Sequence, residues 1–176
     1  QTPPQGMGLP LVVKKGRRAD MRMGGILSPT RYDDRGQKTG IDVLDVATGQ
    51  RRALAIVTNN HQKATVGEYQ FHPQAMRWAL DHVLSALAAP LNVVIVDEIG
   101  PLELRHKEGF APALDRLPPS CAQVAILLVR SSLVSQVQEI LAALHPIIIR
   151  LGQNNRDDIP DRLYRTVCGM LADPKD

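Results

Sequence analysis

The sequence predicts an α/β protein: a three-layer sandwich with a mostly parallel sheet and an inserted antiparallel hairpin. Three observations carry the prediction. Hydrophobic residues make up 44% of the chain but aromatics only 3%, so the core must be built from Val, Ile, Leu and Ala, as in a parallel sheet covered by helices. From about residue 70 onward, continuous apolar runs alternate with segments of helical periodicity, the order of a doubly wound sheet. Before that point, short apolar runs are separated by turn residues, which is the pattern of a hairpin or meander.

Taken in order, residues 1–10 (QTPPQGMGLP) hold three Pro and two Gly and predict an irregular arm. Leu11, Val12 and Val13 follow, then the basic cluster Lys14, Lys15, Arg17 and Arg18, expected as a solvated charged turn. The arm is placed at 1–18 and a single α/β domain at 19–176. Ile26-Leu27 marks a strand end broken by Ser28-Pro29. Asp33-Asp34-Arg35-Gly36 is a turn, Ile41 to Val46 a strand, Ala47-Thr48-Gly49-Gln50 a second turn and Ala53 to Val57 the returning strand. Met76, Ala79, Leu80, Val83, Leu84 and Leu87 recur at helical spacing, predicting an amphipathic helix over 73–87. The run Leu91 to Val96 predicts a central parallel strand. Beyond it the pattern predicts a helix over 109–117, a strand over 124–129, a helix over 132–144, a strand over 147–151 and a helix over 160–171.

The formal charge of +3 suits a phosphate-bearing ligand and makes no strong case for nucleic acid. Cys121 and Cys168 stand apart, with no CxxC spacing or nearby His, so a reduced cytoplasmic setting is expected and a zinc site is not. No apolar run reaches the length of a membrane span, and no signal pattern opens the chain, so no membrane partner is expected. The histidines share no metal-ligand spacing, and no serine stands in a GxSxG context.

The chemistry is concentrated in VVIVDEIGPLEL, residues 93–104. An apolar strand ending in Asp97-Glu98 places two carboxylates at the C-terminal edge of an open sheet, where such sheets bind ligands. In nucleotide hydrolysis one carboxylate holds Mg²⁺ and the next orients or deprotonates water. Neighbouring strand side chains point to opposite faces, which separates the two roles. The structural alternative is an Asp-Glu pair that only opens a loop.

On these residues the chain resembles the thermophilic nucleoside-triphosphatase family, P-loop proteins related to a human cancer-related nucleoside triphosphatase. Four segments carry the resemblance in order: GGILSP with the following hairpin (Gly24–Pro29, Gly36–Ala55), VGEYQFHPQAM (Val66–Met76), VDEIGPLEL (Val96–Leu104) and NRDDIP (Asn155–Pro160). The resemblance implies a P-loop-NTPase-like fold and Mg²⁺-dependent hydrolysis of ATP, GTP or related triphosphates. It implies Asp97 as the Mg²⁺ ligand and Glu98 as the base. Glu103 would be a structural or supporting carboxylate. Asn155 and Arg156 fall where the family contacts the base or orders its last loop. Arg130, with Ser131 or Ser132, stands after a strand where related folds keep a phosphate sensor, and Arg31 could reach the same crevice.

One departure is plain. No GxxxxGK[ST] phosphate loop occurs in the sequence: Gly6-Met7-Gly8-Leu9 lacks the following Lys-Ser/Thr, and Lys14-Lys15-Gly16 has the order reversed. The first residue is Gln1 rather than Met. Three accounts stay open: a shortened form of an active triphosphatase, a non-catalytic relative serving as a binding or assembly subunit, or a site completed by another chain. A small-molecule kinase shares the fold but needs an acceptor pocket. A partner protein, or Leu11-Val12-Val13, is expected to cover an open sheet edge.

Overall fold

The computed structural model describes residues 8–59, 67–155 and 157–172. Helix α1 (Gly8–Arg18) leads into strand β1 (Met23–Leu27). An antiparallel meander follows, formed by β2 (Thr30–Tyr32), β3 (Lys38–Asp45), β4 (Arg51–Val57) and β5 (Tyr69–Phe71). Then come α2 (Pro73–Ala88), β6 (Val93–Ile99), α3 (Pro101–Arg105), α4 (Ala111–Arg116), β7 (Val124–Val129), α5 (Val134–Ile140) and α6 (Ile159–Ala172).

The sheet runs β5-β4-β3-β1-β6-β7, with β2 beside β3. It is α/β and three-layered, but mixed rather than mostly parallel. Only β1–β6 and β6–β7 pair in parallel, and every other pairing is antiparallel. The reason lies in the turns: Asp33-Asp34-Arg35-Gly36 and Ala47-Thr48-Gly49-Gln50 close tight reversals, which can join only antiparallel strands. The parallel pairs occur where α2, or the α3–α4 segment, provides a crossover.

Strand β6 organises the layers, and Val93 through Val96 are fully buried. Val93 and Ile95 pack with Leu9, Val12, Val13 and Val167 of α1 and α6 on one face. Val94 and Val96 pack with Ala79, Val83, Leu87, Leu114 and Val137 of α2, α4 and α5 on the other. The strand alternation thus serves two cores at once. β1 fits beside β6 because Gly25 has a φ of +92°, and a Cβ there would stand 2.0 Å from the Ile95 carbonyl oxygen.

Two further expectations are corrected. Residues 8–18 are a helix and not an irregular arm, and they pack against α6 and β1. Pro10 is tolerated because the first turn of a helix has no N–H partners to lose. Leu9, Val12, Val13 and Gly16 form the buried stripe, while Lys14, Arg17 and Arg18 take the outer face. The basic cluster is therefore helical: Lys15 pairs with Asp161, and Arg17 donates to the Val46 carbonyl. Leu11-Val12-Val13 adds no strand to the sheet.

Residues 147–151 are not a strand. Ile147, Ile148 and Leu151 are 61%, 37% and 47% exposed, and no strand among the described residues pairs with them. An apolar β-branched run forms a strand only where a neighbour takes up its backbone groups. The other predicted elements are present with shifted ends. The 109–117 helix is the shorter α4, with α3 an additional element before it, and the 132–144 helix is α5 flanked by two 3₁₀ turns. No helix among the described residues is long and apolar enough to cross a membrane.

Candidate active site

The C-terminal end of β6 meets the antiparallel meander, and a cavity of about 120 Å³ opens between them. Asp97 and Glu98 both line it. The ladder to β7 is irregular between Asp97 and Ile99, so Glu98 is not held in simple alternation. The expectation that the two carboxylates face opposite ways is therefore corrected: they share one cavity. The peptide between them is cis.

Asp97 is 4% exposed. The Ser28 N–H donates to its Oδ2 at 2.9 Å, and the Ser28 hydroxyl donates to its carbonyl oxygen. Burial pushes the Asp97 carboxyl up to about 6, the Ser28 N–H pulls it down, and the neighbouring Glu98 charge raises it further. Ser28 thus becomes the residue that fixes Asp97, a role invisible in a sequence where the two stand 69 positions apart.

Glu98 accepts a 2.6 Å hydrogen bond from Arg130 Nε. Both side chains remain partly exposed, at 34% and 53%, which suits groups that meet a ligand. Arg130 follows β7, and the parallel β6–β7 pairing brings it to the carboxylate pair. Glu103 is structural. It is 3% exposed, and it accepts N–H bonds from Gly100 at 2.8 Å and Phe110 at 3.2 Å, capping α3 and closing the loop after it. Burial raises its carboxyl, and those N–H groups oppose the rise. Gly109, with a φ of +57°, allows the closure because a Cβ there would meet Glu103 Oε1 at 2.4 Å.

The remaining expected site residues stand elsewhere. Ser131 begins an exposed 3₁₀ turn and does not line the cavity. Asn155 clasps its own loop, accepting from the Gly152 N–H at 2.8 Å and donating to the Arg150 carbonyl at 3.0 Å. Arg156 lies outside the described residues. Arg31 pairs with Asp42 at 3.5 Å, on the meander. Tyr69 and Lys38, which sequence reasoning passed over, line the cavity. Their signal was weak: an aromatic residue in a chain nearly without them, and a lysine at the start of β3.

A family model described as an NTPase matches residues 9–164. The chain belongs to this NTPase family. The chain is also similar to proteins named nucleoside-triphosphatase THEP1. That of Thermofilum pendens is 27% identical over 163 residues, covering 92% of this chain and 86% of its own. That of Methanosarcina barkeri is 26% identical, covering 90% of each. The fold matches the solution structure of a human cancer-related nucleoside triphosphatase with a TM-score of 0.69 at 19% identity, over 95% of this chain and 94% of that one. It matches THEP1 from the hyperthermophile Aquifex aeolicus with a TM-score of 0.64 at 22% identity, over 92% of each chain. The NTPase match begins within α1, at a helix that opens on Gly8-Leu9-Pro10. Leu9 is buried and Pro10 has no N–H, and no GxxxxGK[ST] loop occurs in the sequence.

Proposed function

We propose that this NTPase-family chain hydrolyses nucleoside triphosphates of the ATP or GTP type, with Glu98 as base, Asp97 as the Mg²⁺ ligand and Arg130 as the cation beside them. The observation that carries the reading is the convergence of Asp97, Glu98 and Arg130 on one cavity at the end of the central strand.

The donor set suits Mg²⁺. Hard carboxylate oxygens are its usual protein ligands, and it keeps several waters while taking one or two carboxylates and the substrate phosphates. Two adjacent carboxylates, one of them raised by burial and further by its neighbour's charge, form a site that a divalent cation would neutralise. Bound there, Mg²⁺ would offset the charge developing on the phosphate oxygens. Glu98 takes the proton of a water whose oxygen attacks the γ-phosphorus, and the bond to the β–γ bridging oxygen breaks. Arg130, engaged at Oε1, holds Glu98 in its orientation. Ser28 holds Asp97 in place.

With Leu9 and Pro10 at the start of α1, phosphate grip is expected to be weak, so turnover by this chain alone is slow. That feature also favours a second reading, a non-catalytic binding or assembly subunit. The outer edge of β7, unpaired among the described residues, and the exposed apolar segment 147–151 would then receive a protein partner that completes the sheet. Release of phosphate from ATP and GTP, measured beside Glu98→Gln, separates the two readings. Turnover lost by about 100-fold or more in Glu98→Gln supports the hydrolase. Background-level release by both proteins supports the subunit.

A further inference from the structure

Helix α1 presents a surface that neither the core nor the carboxylate site uses. Pro10, Val13, Lys14, Arg17 and Arg18 recur at helical spacing, so they share one face of the helix. Together they line a shallow open groove. Val13 is its most buried side chain, and Lys14, Arg17 and Arg18 stand exposed around it. Among the described residues, the salt bridges of the chain engage none of these three cations, and Asp161 is taken by the neighbouring Lys15. Arg17 donates to the Val46 carbonyl, a bond that orders its side chain and leaves its charge unneutralised. The carboxylate of Asp45, next to Val46, is buried and bound to the Ala47 N–H and to Thr48. No acidic residue occurs in α1, and Asp20 beyond its end is exposed and does not line the groove. The formal charge of the whole chain is only +3, so this one face concentrates positive charge.

Charge complementarity calls for an anionic occupant, and the rest of the face decides which kind. Single-stranded nucleic acid binds where bases stack on aromatic rings, and this groove has none. A membrane-bound helix lays its apolar stripe into the bilayer, but the stripe of α1, Leu9, Val12, Val13 and Gly16, is buried inward. Of its large apolar side chains only Leu11 is exposed. A short aliphatic floor flanked by unpaired cations fits instead a peptide that alternates carboxylates with aliphatic side chains. We propose that this face of α1 docks an acidic segment of a partner protein. Carboxylates of that segment meet Lys14, Arg17 and Arg18, and an aliphatic side chain rests on Pro10 and Val13. The groove shares no residue with the cavity that holds Asp97 and Glu98, so the proposal does not depend on the triphosphatase reading.

The test is fluorescence anisotropy of a labelled peptide, Glu-Glu-Leu-Glu-Glu-Leu-Glu, titrated with the full chain. Binding is expected to saturate at roughly 100 µM and to weaken as salt screens the charges. The double variant Lys14→Glu/Arg18→Glu should lose about tenfold or more, and the neutral pair Lys14→Gln/Arg18→Gln about threefold. Arg105→Glu/Arg116→Glu changes the net charge by the same amount on α3 and α4, and should bind within about twofold of the parent. Replacing both leucines of the peptide by serine should weaken it about threefold, the loss of the aliphatic contact. The proposal is overturned if the peptide fails to saturate, if both charge-reversed pairs weaken it equally, or if the serine peptide binds as well. It is overturned too if an oligo-dT strand or phosphatidylserine vesicles bind this face more tightly than the peptide. Phosphate release from ATP should be the same with and without the peptide, which keeps this outcome separate from that of the triphosphatase reading.

Discussion

Asp97 gives up stability in order to stand where it does. Its carboxyl is raised from an ordinary 3.8 to about 6, so the folded chain holds this proton more tightly than the unfolded chain. For an acid raised in this way, stability is greatest at low pH and is lost as pH climbs from about 4 to about 6. The gap corresponds to about 3 kcal/mol as an upper bound. Asp97→Asn should therefore be more stable than the parent at pH 7.5 in chelator, by about 1–3 kcal/mol, with the gap closing near pH 4. Urea unfolding at the two pH values reads this directly, and a gap independent of pH would refute the assignment. Burial raises Glu103 as well, but two backbone N–H groups depend on its carboxylate. Glu103→Ala leaves the Gly100 and Phe110 N–H groups without their acceptor and should cost about 2 kcal/mol or more, measured as a fall in the urea midpoint. Its role was half legible, since GPLEL predicted a supporting carboxylate but not which N–H groups it would cap.

At the scale of elements, the close approach of β1 to β6 rests on Gly25. Gly25→Ala puts a methyl against the Ile95 carbonyl at an unfavourable φ and should destabilise the fold by about 3 kcal/mol or more. A thermal midpoint unchanged within about 2 °C would contradict that account of the pairing. Helix α2 and strand β6 were legible because their patterns are long and unambiguous: Met76 to Leu87 at helical spacing, and an unbroken Val-Ile run. Helix α1 was missed for a specific reason. Pro3, Pro4, Pro10 and two glycines outweighed the spacing of Leu9, Val12, Val13 and Gly16, which is helical when read alone. The run Ile147-Ile148-Ile149 misled in the opposite sense: its composition is that of a strand, but pairing is decided by a neighbour and not by the run itself.

Across the whole molecule, the site assembles from distant parts of the chain. Asp97 and Glu98 could be recognised because they are adjacent and end an apolar strand. Ser28, Lys38, Tyr69 and Arg130 join them through β1–β6 pairing, the meander and β6–β7 pairing, and none of those registers is written in a local pattern. The sheet mixes directions for a similar reason, since tight turns decide the first half and helical crossovers the second. The chain belongs to the NTPase family, and no GxxxxGK[ST] loop occurs in its sequence.

The central claim is that the carboxylate pair still constitutes a Mg²⁺–nucleotide site. Calorimetric titration with ATP and GTP, with and without Mg²⁺, beside Asp97→Asn, tests it most directly. The account predicts saturable binding that requires Mg²⁺ and weakens about tenfold or more in Asp97→Asn. Binding that is absent at millimolar nucleotide, or that is indifferent to both Mg²⁺ and the substitution, would contradict it.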